Sequence, residues 1–143
     1  MTDIGYFDGA CQPENPGGHG GWGFVIRDDN GKVIAEGSGY LPQKKWMTNN
    51  VVEYSAALAA LVAYKKLGRT CGLKLHGDSK LVVMQVKGKW GAKKGAYLPV
   101  YEKLKAFLSG CPFRVEWIWV PREQNQEADD LSKRELVKRG IAA

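Results

Sequence analysis

"GGWGFVIRDDNGKVIAEGSGY", residues 20–40, decides the fold. It contains two apolar runs of strand character, 20–28 and 32–40, with Asn30-Gly31 between them. Asn-Gly between such runs is a strong hairpin signal, so they are read as antiparallel strands. Upstream, "IGYFDGA" (4–10) is another strand, joined to the hairpin by the Gly- and Pro-rich loop from Gln12 to Gly20. Three strands with short connections suggest an antiparallel meander.

Downstream the period changes. In "TNNVVEYSAALAALVAYKKLG" (48–68), Val51, Tyr54, Leu58, Leu61 and Val62 recur at helical spacing. Thr48 or Asn49 serves as N-cap, and Lys65, Lys66 and Gly68 mark the end. "GLKLHGDS" (72–79) is a short strand, after which a helix starts near Ser79. Gly88, Gly91 and Gly95 break that helix within "KGKWGAKKG" (87–95). "PVYEKLKAFLSG" (99–110) is a helix and "RVEWIWVP" (114–121) a strand ended by Pro121. "NQEADDLSKRELVKRG" (125–140) is a polar-faced helix with Leu131 and Leu136 inward. The order is therefore β-β-β-α-β-α-α-β-α. It implies an α/β fold with a five-stranded mixed sheet, three antiparallel strands and then two parallel ones, flanked by helices. The simplest sheet sets the fourth strand beside the first and parallel to it.

The 143 residues read as one domain, 1–143, with no repeat, low-complexity tract or linker. No apolar run is long enough to span a bilayer, and "MTDIGYFDG" lacks the layout of a signal peptide, so a cytoplasmic setting is expected. Cys11, Cys71 and Cys111 have no metal-binding spacing and are read as reduced, mostly buried thiols. A formal charge of +6 and a pI near 9.2 favour an anionic partner, with nucleic acid first among them.

Asp8 closes the first apolar run, and Asp78 ends the fourth. On parallel neighbouring strands they would lie side by side at the sheet edge where α/β proteins place ligands. Glu53, flanked by the small residues Ala57 and Ala60, and Asp129, early in the last helix, can join them. Four clustered acids repel one another and raise one another's pKa values unless cations neutralise them. An all-oxygen set suits Mg²⁺ or Mn²⁺ better than Zn²⁺. Two such ions about 3.5–4 Å apart form the usual clamp for in-line attack on a phosphate.

"YFDGACQPENPGG", "TNNVVEY", "GDS" and "WVPREQNQEADDLS", in that order, resemble the motifs of type 1 ribonuclease H over nearly the whole chain. The resemblance implies a ribonuclease H-like fold and cleavage of the RNA strand of RNA–DNA hybrids, leaving 3′-hydroxyl and 5′-phosphate ends. It implies two Mg²⁺ (or Mn²⁺) ions held by Asp8, Glu53, Asp78 and Asp129. Asp8 would bridge both ions, Glu53 and Asp78 would bind the one at the leaving group, and Asp129 the one that activates water. Double-stranded RNA is a second substrate left open. No membrane or obligate protein partner is expected, and the protein is read as a monomer.

For the substrate, Asn15, Asn49 and Asn50 resemble the family's minor-groove contacts, and Thr48 its DNA-phosphate contact. Asn donates and accepts, which suits a 2′-hydroxyl. Three of the four also have a structural reading: Thr48 and Asn49 as a helix cap, Asn15-Pro16 as turn chemistry. Lys87, Lys89, Lys93 and Lys94 around Trp90 resemble a shortened basic protrusion that grips DNA, with "QKKWMT" (43–48) a weaker patch. Gly17, Gly18, Gly20 and Gly21 are expected to shape the first loop.

Many bacterial relatives carry a His in the loop before the last acid, whereas "PREQNQE" has none. The compact form resembles the archaeal-like subset. Arg122 or Glu123 could take the phosphate instead. His19 reads as a loop residue and His76 as a sheet residue. Trp22, Trp117 and Trp119 read as core or sheet residues, and Asp3, Asp28 and Asp29 as surface or turn acids. The rival readings are an integrase- or transposase-like strand transferase and a non-catalytic hybrid-binding module. The first usually needs extra DNA-binding domains; the second has no reason to keep four acids. The starting Met and the complete helix set favour a free-standing protein over a domain cut from a reverse transcriptase.

Overall fold

The structure, a computed structural model, describes residues 1–142. Strands β1 (Asp3–Gln12), β2 (His19–Arg27) and β3 (Val33–Leu41) form the meander. Helix α1 (Asn49–Lys66) leads to β4 (Leu73–Gly77), α2 (Lys80–Val86), α3 (Leu98–Ser109), β5 (Val115–Trp119) and α4 (Gln126–Lys138). One sheet has the order β3-β2-β1-β4-β5, with β1 antiparallel to β2 and parallel to β4. The expected β-β-β-α-β-α-α-β-α architecture is present. At the hairpin, Gly31 takes φ +84°, and Asp28 Oδ1 accepts from the backbone N–H of Asn30 and Lys32.

The meander differs from its reading in length. β1 runs from Asp3 to Gln12, past the run 4–10, so Asp8 lies within the strand rather than at its end. β2 begins at His19, one residue before the run read as a strand, so His19 is a strand residue and Gly20 and Gly21 shape the strand rather than the loop. A Cβ on Gly20 would press on Val52 of α1, whereas one on Gly21 or Gly23 would overlap the backbone of α4. Successive strand residues face opposite sides, so α1 and α4 cover opposite faces of the sheet. These glycines let each helix ride close to the strands.

α1 also turns differently from its large apolar stripe. Val52, Tyr54, Ala56, Ala57, Ala60, Leu61 and Tyr64 are fully buried, while Leu58 and Val62 are only half-buried. At about 100° per residue, Glu53 shares its face with Ala57, Ala60 and Tyr64. Small side chains mark the face of closest approach, as Ala57 and Ala60 beside Glu53 imply. Leu131 of α4 is likewise half-buried, while Leu136 is buried as expected.

Phe7, Ile26, Tyr54, Leu61, Leu75 and Leu104 form the centre of the core. At the amino end of β1, Asp3 is fully buried rather than a surface acid. The Arg69 guanidinium donates to both its oxygens, at 2.6 and 2.9 Å. Tyr64 Oη and Cys71 Sγ donate to the same carboxylate, at 2.6 and 3.1 Å. Burial pushes the Asp3 carboxyl up, but these donors outweigh it and hold the group below its ordinary value. This clamp joins β1, α1 and the approach to β4 at the end of the sheet away from Asp8. All three cysteines are free, Cys11 buried and the other two half-buried. Among the described residues no helix is long and apolar enough to cross a membrane.

Candidate active site

The parallel pairing of β1 and β4 ends at Phe7 opposite Gly77, and the next residues are Asp8 and Asp78. β4 stops there, while β1 continues paired with β2 alone. Two carboxylates thus meet at the carboxyl end of β4. Gly9 draws in the third. A Cβ on Gly9 would lie 2.5 Å from the Val52 carbonyl carbon and 2.6 Å from the Glu53 nitrogen, so only glycine lets α1 approach this closely. The Gly9 N–H donates to Asp8 Oδ1 at 2.9 Å and also to Glu53 Oε1. Carboxylate oxygens of Asp8, Glu53 and Asp78 all fall within 4.8 Å of one another.

Asp129 comes from the first turn of α4 and lines the same cavity, about 340 Å³, together with Arg122, Asn49, Asn50 and Lys133. It stands outside the close triad, with Lys133 Nζ 3.3 Å from its Oδ2. The neighbouring Asp130 is exposed. A larger groove of about 800 Å³, between α1, α3 and the segment before α1, is lined by Trp22, Trp46, Leu58 and Pro99 and contains no acid.

Burial pushes the Asp8 carboxyl up to about 7, and the charges of Asp78 and Asp129 push the same way. Burial also raises Glu53 well above the usual carboxylate range, and the charges of Asp8 and Asp78 add to it. Asp78 is raised by burial, with Asn125 and Arg122 pulling it back. A crowded set of carboxylates that resist ionisation is the environment a hard dication relieves. Oxygen donors alone, with no His or Cys ligand atom in the triad, fit such an ion and do not suit structural zinc.

Of the substrate-contact candidates, Asn49, Asn50 and Arg122 line the acidic cavity; Asn15, Thr48, Lys87, Lys89 and Trp90 lie outside its lining. Thr48 is the N-cap of α1, its hydroxyl accepting from Val51 N–H at 3.2 Å. Asn49 Oδ1 accepts from Cys11 N–H at 2.8 Å, and Asn15 Oδ1 from Asn49 N–H at 3.1 Å. Asn49 is therefore braced against β1, and Asn15 against the start of α1. Lys87 and Lys89 are exposed, as is Trp90. Neither histidine lines the cavity: His19 bonds Tyr40 and His76 stacks on Tyr6. Trp22 and Trp117 pack in the sheet as read, but Trp119 is exposed, its indole N–H bonded to the Asp78 carbonyl at 3.1 Å.

Lys133 and Asn125 were not singled out by the sequence reading. Lys133 sits at i+4 from Asp129, a spacing that pairs opposite charges on a helix. Asn125, at i−4, donates from Nδ2 to the Phe7 carbonyl at 2.9 Å and to Asp78 Oδ2 at 3.3 Å.

A five-stranded mixed sheet with carboxylates gathered where β1 leaves β4 places the protein in the ribonuclease H-like class of α/β proteins. A family profile described as "Reverse transcriptase-like" matches residues 6–135. Ribonuclease H of Acidiphilium cryptum is 38% identical over 87% of this chain and 80% of its own length. RNase H1 of the halophilic archaeon Halobacterium salinarum superposes with TM-score 0.83 at 30% identity, covering 96% of this chain and 99% of that one. LC11-RNase H1, solved in complex with RNA/DNA hybrid, superposes with TM-score 0.85 at 27% identity, covering 98% and 99%. The chain belongs to the type 1 ribonuclease H family, on the compact, archaeal-like side of it. It spans 31% of the length of the longer mycobacterial relatives it also matches, such as the bifunctional protein Rv2228c of Mycobacterium tuberculosis.

Proposed function

We propose that the protein is an endoribonuclease that hydrolyses the RNA strand of RNA–DNA hybrids with two Mg²⁺ or Mn²⁺ ions, leaving 3′-hydroxyl and 5′-phosphate ends. The observation that carries this reading is the Asp8–Glu53–Asp78 cluster, with ligand oxygens within 4.8 Å and Asp129 on the same cavity. Family membership supports it, as does the hybrid bound by the similar LC11 protein.

When bound, divalent ions would supply the charge that stabilises the attacking and departing oxygens of an in-line displacement. Asp8, Glu53, Asp78 and Asp129 would hold them. Asp8 would serve both ions, Glu53 and Asp78 the one on the leaving-group side and Asp129 the one on the water side. Arg122 lends a cation to the phosphate where relatives place a His. Asn15, Asn49 and Asn50 meet the 2′-hydroxyls in the shallow groove of the hybrid, and Thr48 a DNA phosphate. Lys87, Lys89 and Trp90 hold the DNA strand. The described residues act as one catalytic domain, as a monomer and in the cytoplasm.

The test is cleavage of labelled hybrid, RNA duplex and DNA duplex in Mg²⁺ or Mn²⁺, with Asp8→Asn as control. Cleavage confined to RNA in hybrid, lost in EDTA and in the variant, is expected. Cutting of plain DNA would favour a strand transferase. Tight hybrid binding without any cutting would favour a binding module.

A further inference from the structure

We propose that Asn125 is a positioning residue that sets the ion affinity of the acidic cluster by tying the middle of β1, the end of β4 and the start of α4 together. The proposal rests on the metal-site reading above.

Asn125 occupies the N-cap position of α4, where Asn ordinarily turns its side chain onto the helix's free N–H groups. Here its side chain makes no capping bond. Only its backbone carbonyl serves the helix, accepting from Asp129 N–H at 3.0 Å. The amide group instead crosses to the sheet and donates to the Phe7 carbonyl and to Asp78 Oδ2. Both partners are oxygens, so the NH₂ end must face them and the amide orientation follows.

One residue thereby joins Phe7, which precedes Asp8, and the carboxylate of Asp78 through its side chain to the first turn of α4 through its backbone. Phe7 is the last β1 residue paired with β4, so this bond braces the point where the strands part. The bond to Asp78 occupies Oδ2 and orients the carboxylate within the triad. Asn125 is 1% exposed, and its Oδ1 is buried with no hydrogen-bond partner. An unpartnered buried acceptor is costly and rarely kept without a use. A residue selected only to cap a helix would not bear that cost. Partners that orient metal-binding carboxylates typically change ion affinity or activity 10- to 100-fold when removed.

The experiment titrates MgCl₂ and MnCl₂ into the full chain by calorimetry, comparing the parent with Asn125→Ala and Asn125→Asp. Thermal melts in EDTA check folding, fluorescence anisotropy in EDTA reads hybrid affinity, and steady-state kinetics separate kcat from KM. Asn125→Ala should weaken ion binding by about 10- to 100-fold. Its hybrid affinity in EDTA should stay within about twofold, with kcat falling and KM steady, and higher MnCl₂ should restore part of the rate. If the alanine variant does not fold, Asn125→Asp carries the test. It keeps the shape but cannot donate, so it should also bind ions more weakly despite its extra negative charge.

Ion affinity equal to or above the parent's in a folded variant overturns the proposal. So does a drop in EDTA hybrid affinity that matches the drop in ion affinity, since that is general disruption. A parent that binds ions but cuts no hybrid overturns the nuclease reading, while the ion titration still decides the role of Asn125. A parent that takes up no ion overturns both.

Discussion

Asp8, Glu53 and Asp78 are carboxyls held above their ordinary pKa, burial being the main cause. The sign of the consequence follows from proton linkage. Between the ordinary carboxylate pKa and the raised one, the folded chain keeps protons that the unfolded chain has released. Stability then falls as pH rises. Without divalent ions, melting temperature should therefore drop from pH 5 to pH 7.5, and saturating Mg²⁺ should recover the loss at the upper pH. A melt in EDTA that is flat or rising over that window would mean the acids are not crowded. Asp8→Asn should raise the ion-free melting temperature at pH 7.5 while abolishing cleavage. The pair Asp129 and Asp130 is an internal control, one lining the cavity and the other exposed. Asp129→Asn should cut kcat by about 10³-fold or more, in keeping with loss of charge stabilisation in a reacting site. Asp130→Asn should keep most of the rate; the reverse pattern in parallel assays would put the wrong acid at the site.

The helices reach the sheet through glycine. Gly23 pairs with Asp8 across β1 and β2, and a Cβ there would lie 2.5 Å from Ser132 N of α4. Gly23→Ala should cost about 1–3 kcal/mol in denaturant unfolding, the usual range for overpacking a tight contact. Because α4 carries Asp129, the same variant should lose activity beyond its loss of stability, which a cleavage assay on the folded fraction reads. A second element-level joint is the Asp3 clamp. Arg69→Ala would leave a buried carboxylate short of its main cationic partner, so melting temperature at pH 7 should fall and Asp3→Asn should recover part of it. Asp3 has a lowered pKa, so its contribution is present above the ordinary carboxylate value and lost as pH falls below it. That trend opposes the one at the active-site acids.

The whole chain is basic, +6, yet it gathers four acids, Asp8, Glu53, Asp78 and Asp129, around one cavity at one edge of the sheet. The exposed lysines carry the opposite sign, and those of the segment after α2 are anchored from inside. Buried Gln85 accepts from Tyr54 Oη at 2.6 Å and donates to the Gly91 carbonyl and to Tyr97 Oη, each at 2.9 Å. An irregular backbone is thus fixed to α1 and α3 while Lys87, Lys89, Lys93 and Lys94 stay exposed. Replacing these four lysines by Ala should weaken hybrid binding at low salt and flatten its dependence on salt, because fewer counterions are released. Anisotropy titrations over a range of KCl concentrations measure both; an unchanged slope would remove this segment from the interface.

Element order, sheet order and the meeting of Asp8 with Asp78 were legible because they rest on local signals: Asn30-Gly31 at the turn, a change of period at Thr48, an acid closing each of two apolar runs. Other features were hidden because they depend on what approaches from far along the chain. Leu58 and Val62, read into the apolar stripe of α1, are only half-buried, because the helix packs closest along Ala57 and Ala60. Asp3 looks like a terminal surface acid until Arg69, Tyr64 and Cys71 surround it. Asn125 sits at the N-cap position of α4, yet its amide is spent on Phe7 and Asp78. Periodicity reports which side of an element is apolar; the direction of a polar side chain depends on partners brought together only when the sheet and α4 pack.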